Sequence, residues 1–136
     1  MIDTDSSLRQ ILMACRTIAV VGISMDEDKP SHYVSKYMQQ HGYRIVPVNP
    51  RYTHVLGEAC YPSLESVPFA LDMVDVFRRT QDVLPIAQSA MAIKTHCLWQ
   101  QIGVVNLEAD ALVKAAGMQS VLDRCLKVEH ARLLGR

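Results

Sequence analysis

The sequence predicts a three-layer α/β fold: a mostly parallel, doubly wound sheet of about five strands with helices on both faces, forming a single domain over residues 1–136. Three observations predict it. Short, almost wholly apolar runs recur along the chain, "TIAVV" at 17–21 being the clearest, and a strand covered on both faces reads this way. Segments with helical spacing separate those runs, as the crossovers between parallel strands require. The 136 residues, 49% of them apolar, can bury one sizeable core, and no repeat, low-complexity tract or linker divides them.

Each element has its own signal. Leu8, Ile11, Leu12 and Cys15 fall at i, i+3, i+4 and i+7, one face of a helix over residues 6–16. A strand follows at 17–22, ending in Gly22. Tyr33, Val34, Tyr37 and Met38 form the stripe of a second helix, with Pro30 suited to its first turn and Gly42 to the position just past its end. "YRIVPVNP" (43–50) is a second strand, cut off by Asn49 and Pro50. Residues 51–68 read as irregular, with at most a short strand near "EACYPSL". "DMVDVFR" (72–78) is a third strand, and "QDVLPIAQSAMAIK" a helix whose Pro85 must fall near its start or kink it. Strand "HCLWQQ" (96–101), helix "NLEADALVKAAG" (106–117) with Asn106 as N-cap, and strand "QSVLDRC" (119–125) complete the alternation, before a short helix in "KVEHARLLGR".

Composition excludes several function classes. Lys and Arg number 14, as do Asp and Glu, so the overall basic field of a nucleic-acid binder is missing and any anion must be held locally. The start "MIDTDSS" is acidic and no apolar run is long enough to span a bilayer, which predicts a cytoplasmic protein without a membrane role. Cys15, Cys60, Cys97 and Cys125 are widely spaced with no CxxC pair, a pattern that argues against disulfides and against a cysteine metal site. The five histidines show no HxxxH or HExxH spacing, so no metal is expected there either.

In a doubly wound sheet, ligands bind at the carboxyl ends of the strands, near the point where strand order reverses. The residues just after each strand are therefore the candidates. After the first come Gly22, Ser24, Lys29 and Ser31; after the second, Asn49, Pro50 and Arg51; after "MVDVF", Arg78 and Arg79; after "HCLW", Gln100, Gln101 and Gly103. Three of these edges carry a cation, and together they form a rim suited to phosphates. The turn "GISMDEDKPS" adds a helix N-terminus, whose free amides and positive dipole end favour a pyrophosphate. Gly22 lets the backbone approach closely there, although a lone Gly after a strand equally marks a tight turn. Where an NAD-binding fold carries an acidic residue for the ribose hydroxyl, this chain has "VNPRY". Asn49 and Arg51 would accept a phosphorylated ribose instead, which points to coenzyme A or, second, NADP.

The pieces "VVGIS", "KPSHYV", "GYRIVPVNP", "LGEACYPSLESVP", "DMVDVFRR", "LWQQIGV" and "VLDRC" run in order from about residue 17 to 132. In this combination the chain resembles the small CoA-binding proteins, whose Rossmann-like fold is shared with the N-terminal domain of the succinyl-CoA synthetase α subunit. The resemblance implies coenzyme A or an acyl-CoA as ligand. It further implies that Gly22, Ser24 and Lys29 form the phosphate-binding turn and that Asn49, Pro50 and Arg51 close over the nucleotide end. Val76, Phe77 and Arg78 would border the adenosine, with Gln101 and Gly103 toward the pantetheine arm.

No catalytic set accompanies this rim, so the leading expectation is a binding module. The alternative is a CoA-linked enzyme or subunit, with thiol or acyl transfer at Cys125, which follows the last strand beside Arg124. An NADP-dependent reductase is a weaker reading, because no Tyr/Lys pair stands at a spacing suited to hydride chemistry. Trp99 and Phe77 are candidates either for stacking on adenine or for the core. Self-association, or a protein partner, is the expected way for so small a sheet to protect an edge.

Overall fold

The computed structural model describes residues 4–135. Helix α1 (Thr4–Ala14) precedes β1 (Thr17–Val21), α2 (Pro30–Gln40) and β2 (Arg44–Val48). A two-stranded hairpin, β3 (His54–Val55) and β4 (Glu58–Ala59), leads to β5 (Met73–Val76) and α3 (Val83–Ala92). Then come β6 (Cys97–Gln100), α4 (Leu107–Ala115), β7 (Gln119–Val121) and α5 (Leu126–Leu133). The main sheet has five strands, all parallel, in the order β2-β1-β5-β6-β7. From β1 the chain steps outward to β2 and then crosses back to β5, so strand order reverses between β1 and β5.

Alternation along the strands divides the core into two layers. Ile18, Val20, Met73, Cys97 and Trp99 turn to one face, where α1, α2 and α5 cover them. Ala19, Val21, Val74, Val76 and Leu98 turn to the other, against α3 and α4. Local chemistry sets the helix ends. Pro30 opens α2, where its missing N–H costs nothing, and Gly42 follows the helix at φ +90°. The Asn106 side chain accepts the Ala109 N–H at 2.9 Å and so caps α4. Pro85 is the third residue of α3, inside the first turn, so it leaves the helix unkinked.

Two expectations need correction. The run 119–125 pairs as a strand only as far as Val121. Asp123 takes φ +56° and turns the chain, its carboxylate accepting the Gly103 N–H, so Cys125 is the N-cap of α5 and not the end of a strand. The stretch 51–68, read as irregular, holds the β3–β4 hairpin and a single 3₁₀ turn at Leu64–Ser66. Among the described residues no helix is long and apolar enough to cross a membrane, and no group of His, Cys, Asp or Glu is placed to hold a metal. All four cysteines are free thiols.

Candidate functional site

A cleft of about 710 Å³ lies over the carboxyl ends of β1, β5, β6 and β7, between the loops that lead to the two helical layers. Gly22, Ser24, Lys29 and Ser31 enter it from the β1–α2 turn, and Phe77, Arg78 and Arg79 from the end of β5. Gln101, Ile102 and Val104 follow β6, and Cys125 enters at the start of α5. Its position at the reversal of strand order is where this architecture binds ligands.

The β1–α2 turn is wired to itself. Ser31 Oγ accepts the Ser24 N–H at 2.9 Å, Ser24 Oγ accepts the Asp26 N–H at 3.0 Å, and His32 Nδ1 lies 2.9 Å from the Ser24 carbonyl. Both serine hydroxyls still have a proton to donate. No side chain caps α2, so the start of this helix has no internal anionic or hydroxyl partner. Lys29 and Arg78 make no ion pair among the described residues, whereas Arg79 is held by Asp82 at 3.1 Å. Two uncommitted cations therefore flank an uncapped helix N-terminus, an arrangement that suits a phosphate.

Gly22 is required for steric reasons. Its φ is +89°, and a Cβ there would lie 2.3 Å from the Phe77 carbonyl oxygen. Only glycine lets the ends of β1 and β5 close up at the base of the cleft.

A second, smaller hollow of about 180 Å³ lies beside the cleft over β1 and β2. Pro50, Pro62, Leu64 and Pro85 give it flat, apolar walls, and Arg78 lines both spaces.

Of the residues singled out from sequence, Gly22, Ser24, Lys29, Ser31, Phe77, Arg78, Arg79, Gln101 and Cys125 share the cleft, and Pro50 lines the hollow. Asn49, Arg51, Val76, Gln100 and Gly103 line neither, Gln100 being fully buried and bonded to the Asn106 backbone. Asn49 is buried and acts as a clamp: Nδ2 donates to the Ile23 carbonyl at 2.8 Å while Oδ1 accepts the Arg51 N–H at 2.9 Å, tying the end of β2 to the β1–α2 turn. Arg51 is exposed beyond it. Val76 is fully buried in the core. Gly103 donates its N–H to Asp123 and holds the β6–α4 loop in place. Trp99 is core: it is fully buried, with Nε1 donating to the Arg124 carbonyl at 2.8 Å. Arg124, expected to act on Cys125, is taken by Glu129 at 2.8 Å.

Sequence reasoning passed over Tyr33, Asp82, Ile102 and Val104, which also line the cleft. Ile102 and Val104 follow β6 directly, so the strand-end rule would have found them had apolar residues been considered along with polar ones. Tyr33 lies one turn inside α2, where only the fold brings it to the rim.

Beneath the cleft stands one unusual group. Asp75, in the middle of β5, is 1% exposed, and its Oδ1 accepts from Gln101 Nε2 at 2.5 Å. Its Oδ2 is the one buried side-chain oxygen or nitrogen left without a partner among the described residues. Burial pushes the carboxyl up to about 7, against the smaller opposing effect of the Gln101 hydrogen bond. Gln101 also accepts the Leu126 N–H at 3.3 Å, so one amide side chain links the buried acid, the cleft wall and the start of α5.

Known proteins share this architecture over nearly the whole chain. A hypothetical protein from Pyrococcus horikoshii has a solved structure that superposes with a TM-score of 0.94 at 37% identity, over 98% of this chain and 94% of that one. A Thermus thermophilus structure gives 0.92 at 37% identity, over 97% and 100%. The uncharacterized protein YneT of Bacillus subtilis is 39% identical over 94% of this chain and 95% of its own length. The ADP-forming acetate–CoA ligase I of Archaeoglobus fulgidus is 33% identical over 58 residues, 43% of this chain and 8% of that enzyme. The sequence pattern of the CoA binding domain matches residues 16–131, and with it the strand-end cleft and the uncapped turn acquire a family: this chain belongs to the CoA-binding domain proteins.

Proposed function

We propose that the protein binds coenzyme A or an acyl-CoA in the cleft, as a binding module without chemistry of its own. One observation carries the reading: Lys29 and Arg78, unpaired among the described residues, meet the uncapped start of α2 in a single cleft at the reversal of strand order. The pyrophosphate lies there, on Ser24, Lys29 and the Ser31 N–H, the first amide α2 offers because Pro30 has none and the His32 N–H bonds the Lys29 carbonyl. Adenine fits the flat hollow between Pro50 and Pro85, with Arg78 at the junction of the two spaces. Arg51, next to Pro50 and facing solvent, meets the phosphate on the ribose. The pantetheine arm runs the other way, past Phe77 and Gln101 toward Cys125.

Equilibrium titration with CoA, dephospho-CoA and NADP tests this. CoA binds tightest, and Arg78→Ala weakens it about 10- to 100-fold, the worth of a charge-assisted phosphate contact. Equal affinity for CoA and dephospho-CoA would remove the role given to Arg51.

A second reading has a specific observation in its favour, since the free thiol of Cys125 lines the same cleft. In it the Cys125 thiolate attacks CoA disulfide, forming a protein–CoA disulfide and releasing one CoA thiolate. Cys125→Ser would then abolish consumption of CoA disulfide while leaving CoA binding in place. Equal rates for the two proteins exclude it.

A further inference from the structure

The two ends of the cleft differ in polarity. At the β1 and β5 end stand Lys29, Arg78 and Arg79. At the β6 and β7 end the lining is Gln101, Ile102, Val104 and Cys125, with no charge among them. The apolar character continues outward along the same loop: Ile102 is 70% exposed, Val105 39% and Leu107 67%.

The backbone of this loop is fixed. Gly103 N–H donates to Asp123 at 2.6 Å, Val104 N–H to the Gln101 carbonyl at 2.8 Å, Val105 N–H to Thr80 Oγ1 at 3.1 Å, and Asn106 N–H to Gln100 Oε1 at 2.7 Å. Four successive amides are thus engaged, and the apolar side chains are held out to water by a built scaffold. Exposed aliphatic surface on a held loop has an unfavourable hydration free energy that a bound apolar group would relieve.

Building on the CoA reading above, we infer that the ligand is an acyl-CoA with an aliphatic chain of several carbons, which leaves the thiol end of the cleft over Ile102 and along Val105 and Leu107. The continuity of the lip with the uncharged end of the cleft favours this occupant over a protein.

Calorimetric titration of the full chain with CoA, acetyl-CoA, butyryl-CoA and hexanoyl-CoA, with molecular mass followed by light scattering, tests it. Fully burying a methylene is worth about fourfold in affinity, and an open lip that covers half of each gives about twofold. Hexanoyl-CoA, with four more methylenes, is then expected to bind roughly 16-fold tighter than acetyl-CoA. That ratio falls toward one in Ile102→Ser and in Leu107→Ser, and being a ratio it cancels any loss common to all ligands. Equal affinity across the acyl series overturns the inference and leaves the CoA reading standing, whereas no binding of any CoA species sinks that reading itself. A chain-length ratio that survives in both serine variants overturns the placement. A concentration-dependent dimer abolished by Leu107→Ser, with a flat acyl series, assigns the lip to a second copy of the chain and overturns the inference likewise.

Discussion

The two faces of the sheet are built from different materials. Against α3 and α4 the interior is mostly small and aliphatic, with Ala19, Val74, Ala87, Ala90, Leu98 and Ala109 fully buried, and its buried Gln100 is neutral and bonded at both ends to the Asn106 backbone. Against α1, α2 and α5 the interior admits polar groups: Asp75, the Tyr43 hydroxyl on the Leu12 carbonyl, and His130 with Tyr37 on its Nδ1 at 2.8 Å. The first face depends chiefly on volume and shape. The second holds the acid bonded to Gln101, which also accepts from the start of α5, so this face is tied directly to the cleft wall. Stability should therefore depend on pH through one face and hardly at all through the other.

The largest expected effect comes from Asp75→Asn. The carboxyl ionises near 3.8 when unfolded and near 7 in the fold, so between those values the unfolded chain has released a proton that the native protein keeps. Stability falls as pH rises through that window and stays lower above it. An asparagine is close in shape to the neutral acid and has no such penalty. At pH 4 the two proteins should unfold at similar urea concentrations, and at pH 8 the variant should be the more stable by a few kcal/mol, since the native acid must ionise against its burial. A variant less stable than the parent at pH 8 would mean that the acid is ionised and satisfied.

On the aliphatic face, Leu98→Ala opens a cavity beneath α3 and α4 and should cost about 3 kcal/mol, the usual loss for a fully buried leucine. Its loss should be the same at pH 5 and pH 8, since Leu98 packs among aliphatic neighbours. A strong pH dependence for this variant would erase the contrast between the faces.

Local pattern was legible on both faces, since the stripes of α1 and α2 belong to the polar face and the Asn106 cap to the aliphatic one. Runs such as "TIAVV" and "MVDV" have a composition that only a strand covered on both sides tolerates, and Asn106 and Gly42 marked helix ends by local chemistry alone. The buried polar pairs were harder to read because they form across long sequence separations. Gln101 with Asp75, and Trp99 with the Arg124 carbonyl, are 26 and 25 residues apart, and nothing in a linear pattern joins them. The cleft divides the same way. Residues that follow a strand directly, such as Gly22 and Arg78, were found by position, but Asn49 follows a strand too and turned inward as a clamp. A strand-end rule gives the edge on which a residue lies and not the direction of its side chain. The short β7 was overread because "VLDRC" is apolar enough for a strand, and the turn at Asp123 depends on an acceptor role toward Gly103, 20 residues away.

The smallest effect concerns the far end of the polar face, where His130 is buried between α2 and α5. Burial, then the His41 and Arg16 charges, hold its imidazolium below the ordinary histidine value. The sign is opposite to that of Asp75: the unfolded chain takes up a proton as pH falls through about 6.5 while the native protein resists, so stability is lost on acidification. In the parent the two slopes oppose each other below pH 6.5. Asp75→Asn removes one of them, and urea midpoints of that variant should rise with pH through this range. Adding His130→Gln keeps a polar side chain beside the Tyr37 hydroxyl but removes the titrating ring, and should flatten the remaining slope. If the slope in the double variant were as steep as in Asp75→Asn alone, the acid sensitivity would belong to a group other than His130. The polar face would then have one pH-responsive centre, Asp75 under the cleft.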